Sequence, residues 1–77
     1  MLQFKDKRLV KFGEHVLSLR IGRGMETSDV AKNCSLSIKD LQAIESGSKN
    51  FGFTTLLELA KGIGISPGSL LDVNLDM

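Results

Sequence analysis

The chain has 77 residues, enough for one domain with one core, which leaves no room for a separate catalytic domain. Hydrophobic residues make up 42% and charged residues 25%, a balance that argues against a disordered tail, and no apolar run approaches the roughly 20 residues that span a bilayer. The net charge of +1 does not announce a polyanion binder, but it is unevenly spread: Lys5, Lys7, Arg8, Lys11, Arg20 and Arg23 outnumber Asp6 and Glu14, whereas from Phe51 onward Lys61 faces Glu58, Asp72 and Asp76.

Leu9, Phe12, Val16 and Leu19 recur at three- and four-residue steps and predict a first helix from about Lys5 to Ile21, stopped by Gly22-Arg23-Gly24. Thr27, Ser28 and Asp29 offer N-cap or first-turn chemistry for a second helix of about two turns carrying Val30 and Ala31, with Met25 packed beneath its start. Cys34-Ser35-Leu36-Ser37 breaks that helix, and Ser37 caps a third, Ile38 to Ser46, with Leu41 and Ile44 inward and Gly47 as its stop. After the polar loop Ser48-Lys49-Asn50-Phe51-Gly52, a fourth helix carries Phe53, Leu56, Leu57, Ala60 and Ile63 and ends at Gly62 or Gly64. A fifth begins near Ser66, where Pro67 suits a first helical position. There is no strand pattern and no repeat, so the expected fold is all-α: a compact five-helix bundle in a single domain, residues 1–77.

The residues that carry chemistry elsewhere are sparse. One cysteine, Cys34, cannot form an internal disulfide and reads as a small buried hydrophobe; with His15 it makes too few ligands for a structural zinc site, so no metal or cofactor is expected. No nucleophile and base can be paired, and Gly22 and Gly24 follow no strand, as a phosphate-binding loop would require; the chain is not expected to be an enzyme. Met1-Leu2-Gln3-Phe4-Lys5 lacks the apolar stretch of a signal peptide, which points to a cytoplasmic protein.

Two short helices joined by a tight turn let one brace on a DNA backbone while the second enters the major groove. Val30-Ala31, followed ten residues later by Leu41, has that spacing, and the small side chain of Ala31 allows a close crossing. With Phe12-Gly13-Glu14, Leu19-Arg20, Gly24-Met25, Leu36-Ser37, Ile44-Glu45-Ser46-Gly47, Leu56-Leu57-Glu58-Leu59-Ala60, Ile63-Gly64-Ile65-Ser66 and Leu70-Leu71 in order, the chain resembles the Cro and phage-repressor type (XRE) helix-turn-helix family. The resemblance runs from about Phe12 to Leu71; it puts a lambda-repressor-like DNA-binding domain at residues 16–71 and the helix-turn-helix motif at residues 27–46.

The resemblance implies a bacterial transcriptional regulator that binds a palindromic operator on double-stranded DNA as a homodimer, with no small-molecule ligand and no membrane. It also implies a structural pair between Arg20 and Glu45. Thr27 is expected near a phosphate, and Ser37, Ile38, Lys39, Asp40 and Gln42 on or near the groove-facing side of helix three, followed by Lys49 and Asn50. Lys39 can donate to guanine or phosphate, Gln42 can read adenine, and Lys49 and Asn50 suit the backbone. Ile38 either touches a thymine methyl or covers core or a partner. Leu70, Leu71, Val73 and Leu75 are expected to supply a dimer surface, and Lys5, Lys7, Arg8 and Lys11 further phosphate contacts.

Three positions depart from the family's habit: Thr27 for glutamine, Ser35 for glycine in the turn, and Phe51 for proline in the loop. Between Thr27 and Asn50, Lys32, Lys39 and Lys49 balance Asp29, Asp40 and Glu45. That neutrality keeps open a second reading, a protein-interaction module of the same fold, antitoxin-like or an accessory subunit.

Overall fold

The structure, a computed structural model, describes residues 7–73. Five helices follow in order: α1 (Lys7–Gly22), α2 (Thr27–Lys32), α3 (Ile38–Glu45), α4 (Phe53–Ile63) and α5 (Pro67–Leu70). Among the described residues there is no strand, and no helix is long and apolar enough to cross a membrane. The all-α, five-helix architecture is the one the apolar spacing predicts.

Glycines follow three of the helices. Gly24, Gly47 and Gly64 have φ of 68°, 73° and 87°, the left-handed region in which a side chain is strained. After α3, the Gly47 N–H donates to the Ile44 carbonyl and the Ser48 N–H to that of Ala43, closing the last turn with paired backbone bonds. Ser46 is the cap of α3 and not its last helical residue. The start of α2 differs more from expectation, because its N-cap is Glu26 and not one of Thr27, Ser28 and Asp29. Asp29 serves the cap from inside, its carboxylate accepting the Glu26 N–H at 2.8 Å. At α5, the Ser66 hydroxyl accepts the Ser69 N–H at 3.2 Å, ahead of Pro67 in the first turn.

One core joins the helices: Phe12 and Val16 from α1, Val30 from α2, Leu41 and Ile44 from α3, Leu56, Leu59, Ala60 and Ile63 from α4, and Leu70 from α5. Leu19, Met25, Leu36, Phe51, Ile65 and Val73 pack around it. α1 lies on α3, α2 lies between α3 and α4, and α5 closes on α4.

Two crossings are tight enough to exclude a side chain. A Cβ on Gly13 would stand 2.5 Å from the carbonyl oxygens of both Ile44 and Glu45, so α1 touches the backbone at the end of α3. A Cβ on Gly62 would stand 2.8 Å from the Val30 carbonyl oxygen and 3.0 Å from the Cys34 sulfur, which puts α4 directly on the end of α2. Ala31 is half-buried. Because backbone atoms cannot swing aside as a side chain can, Gly13→Ala is expected to cost about 3 kcal/mol. Urea unfolding of the variant beside the parent measures it, and a loss under about 1 kcal/mol would contradict so close a contact.

Candidate nucleic-acid interface

The third helix presents its face through ordinary helix geometry. Leu41 and Ile44 point into the core, so residues three and four apart on the other side, Lys39, Gln42 and Ser46, form one exposed stripe with Ile38 beside it. Ile38 is 42% exposed and therefore not part of the core. Ser37 begins the helix as its cap: its Oγ accepts the Asp40 N–H at 3.0 Å, and Asp40 Oδ2 accepts the Ser37 N–H at 3.3 Å. Ser46 and Ser48 have no side-chain role that the sequence predicts. Their hydroxyls, 2.9 Å apart, both donate to the Ala43 carbonyl at the far end of the stripe.

Two fastenings hold this helix in place. Arg20 Nε and Nη2 donate to the two carboxylate oxygens of Glu45 at 2.8 and 3.1 Å, while Nη1 donates to the Met25 carbonyl at 2.9 Å. Both side chains are nearly sealed from water, at 11% and 9% exposure. The hydrogen bonds to Glu45 raise the Arg20 pKa beyond its ordinary value against the opposing effect of burial. The second fastening is Glu58 of α4, whose carboxylate accepts the Ser35 N–H at 2.9 Å and so ties the turn between α2 and α3 to the opposite side of the bundle. No described residue other than glycine has a positive φ, so Ser35 occupies the turn without the left-handed conformation that a glycine there would permit.

An ion pair lies at the exposed edge of the stripe. Lys49 Nζ stands 3.0 Å from Asp40 Oδ1, and the two side chains remain 51% and 39% exposed. The hydrogen bond from Lys49, reinforced by those from Ser37, holds the Asp40 carboxyl below its ordinary 3.8. Ser35, through its N–H first, does the same for Glu58 relative to 4.5.

The remaining expected contacts are scattered around this face. Thr27, half-buried, opens α2 between the acids Glu26 and Asp29. Asn50 is exposed and lines a groove of about 480 Å³ together with Arg8, Leu9, Phe12, Phe51, Phe53, Leu56 and Leu71. Phe51 stands where the family commonly has proline, and its ring lies 5.3 Å from that of Phe12 on the groove floor. The expected dimer residues divide. Leu70 has no exposed surface and belongs to the core, a correction with a simple cause: α5 turns it inward under α4, where no second chain can reach it. Leu71 is 50% exposed, Val73 is half-buried, and Leu75 and Lys5 lie outside the described residues. Phe53, missed as a surface residue, is 69% exposed on the groove rim. Among the described residues no three His, Cys, Asp or Glu side chains gather as metal ligands do.

No protein-family model and no curated protein matches the sequence. Solved structures do. The restriction-modification controller protein C.AhdI from Aeromonas hydrophila is 30% identical, with 82% of this chain and 96% of that chain covered at a TM-score of 0.76. The chain belongs to the Cro/phage-repressor type (XRE) helix-turn-helix family. It is also similar to the controller protein C.Esp1396I, crystallised as a tetramer in complex with its natural 35 base-pair operator, at 25% identity, TM-score 0.78, and 84% and 86% of the two chains covered. The clp gene regulator ClgR from C. glutamicum shares the fold at 23% identity and TM-score 0.73, with 86% of this chain and 84% of that chain covered. In a helix-turn-helix the second helix is the one that enters the major groove, and α3 holds that place in this chain.

Two measurements probe the scaffold of that surface. Glu45→Gln leaves the Arg20 guanidinium nearly buried without a counter-charge and is expected to cost about 3 kcal/mol in urea unfolding; a loss below about 1 kcal/mol would show the pair to be dispensable. Asp40 and Glu58, both depressed in the folded chain, contribute stability that is fully present above their ordinary pKa values and lost as pH falls through their lower folded ones. The melting temperature should therefore decline below about pH 4.5, and less steeply in Glu58→Gln; an unchanged slope would remove Glu58 from that role.

Proposed function

We propose that this chain is a sequence-specific transcriptional regulator that binds a palindromic operator as a homodimer, with α3 of each copy in the major groove. The observation that carries this is the outward stripe of Ile38, Lys39, Gln42 and Ser46 on a helix anchored at both ends, by its capping box and by the Arg20–Glu45 pair. A reading helix must be exposed on one side and immobile on the other, and few positions on it need to speak to bases. Lys39 supplies a donor for guanine or phosphate and Gln42 a donor and acceptor for adenine, with Ile38 available to a thymine methyl. The similar protein held on a 35 base-pair operator supports the choice of ligand. This function assigns the chain no catalysis and places its work in the cytoplasm.

The dimer face we assign is the groove rimmed by Phe53 and Leu71, two exposed large hydrophobic side chains that stand together on a chain whose motif carries little positive charge. Linking two weak half-sites raises overall affinity by about 10²–10⁴ without any new contact, which a charge-neutral motif requires. The rest of the attraction comes from Lys7, Arg8 and Lys11 at the start of α1.

Selection from a random duplex pool should return paired half-sites with centres about one helical turn, roughly 34 Å, apart. Phe53→Ser is expected to sediment as a monomer and to lose about a hundredfold in operator affinity. Recovery of no preferred duplex, together with a Lys39→Glu variant that loses a protein partner and not DNA, would move the chain to the protein-interaction class.

A further inference from the structure

We infer that Asp40 is an internal stand-in for a DNA phosphate: it occupies the Lys49 ammonium in the free protein and thereby suppresses binding to duplexes that lack the right sequence. This rests on the DNA-binding function proposed above and goes beyond it, because Asp40 then acts on Lys49 and on the phosphates and reads no base.

The geometry separates Asp40 from the contacts first expected of it. One carboxylate oxygen accepts the Ser37 N–H and the other holds Lys49 Nζ at 3.0 Å, so both are engaged within the chain. Lys49 comes from the loop after α3, nine residues further on, and is folded back across the helix toward its first turn. Among the described residues, Lys32 and Lys39 of the same motif have no such acid partner. The motif's free positive charge is thus carried by two lysines and not three, while Asp40 repels phosphates on its own account.

The pair is also of the right strength for a gate. An ion pair this exposed is weak in water and screened by salt, so a phosphate array can displace the carboxylate when the rest of the interface is correctly seated. Off-site, with base contacts missing, nothing offsets the exchange. Affinity for random duplex falls more than affinity for the operator, and the ratio of the two is the quantity a regulator needs.

The test uses the full chain and random-sequence duplex across a salt series, then the selected operator. Asp40→Asn keeps an oxygen for the Ser37 N–H and removes the charge. Random-duplex affinity is expected to rise about three- to tenfold, the slope of log K against log salt to steepen by about 0.9, and the operator-to-random ratio to fall. Adding Lys49→Gln should remove most of the gain, leaving only the part that comes from the lost repulsion by Asp40. In the parent chain, with Asp40 intact, Lys49→Gln should weaken random-duplex binding less than Lys39→Gln does, a comparison that holds even if the Asp40 variant is unstable. An Asp40→Asn chain that binds random duplex no better than the parent, or a Lys49→Gln loss as large as that of Lys39→Gln, overturns the inference while leaving DNA binding intact. A parent chain with no affinity for any duplex overturns both.

Discussion

Arg20 gathers three stretches of chain with a single planar group. Two of its nitrogens meet both oxygens of Glu45 at the end of α3, and a third reaches the Met25 carbonyl in the turn ahead of α2. A lysine could satisfy one of these partners but lacks the fork to satisfy them together. Since Glu45 lies one residue before the cap of α3, the guanidinium fixes where the helix ends; since Met25 lies just before Glu26, it also fixes where α2 begins. These two constraints help to set the angle between the two helices of the motif, and with it the direction of the exposed stripe on α3.

The constraint works because the helices are already as close as backbones allow. Gly13 lets α1 rest against the carbonyls of Ile44 and Glu45, the same turn of α3 that Arg20 holds one and a half to two turns further along α1. Contact at Gly13 and attachment at Arg20 make a two-point mount, which resists rotation where a single point would not. Gly62 plays the matching part on the other side, where α4 meets the end of α2. A chain of 77 residues can bury only a modest core, and close crossings of this kind extract more rigidity from it.

The helices and most of their stops could be read from the sequence because the signals are local: apolar residues at helical spacing, Ser37 and Ser66 as caps, Gly24 and Gly47 as stops, with the end of α4 left between Gly62 and Gly64. What escaped depends on the path of the chain between elements. Thr27, Ser28 and Asp29 look like better caps than Glu26 in isolation, but the bond from Arg20 to the Met25 carbonyl sets the backbone so that residue 26 falls at the cap and Asp29 inside it. Leu70 and Leu71 are adjacent and chemically identical, and only the docking of α5 on α4 decides which is core and which is surface. Lys39 and Gln42 could be placed outward from Leu41 and Ile44 alone. Asp40 and Lys49, nine residues apart, and Ser35 and Glu58, twenty-three apart, could not be paired without knowing how the loops return.

The bond between Glu58 and the turn at Ser35 gives α4 a meaning beyond its share of the core. This helix of 11 residues carries the exposed Phe53 at its start and, five residues on, the carboxylate that grips the motif. The proposed dimer surface and the fastening of the helix-turn-helix are therefore mounted on one rod about 16 Å long. In the dimer proposed above, two chains joined at Phe53 would form a caliper, with α4 as the rigid arm between the dimer contact and the turn that Glu58 holds.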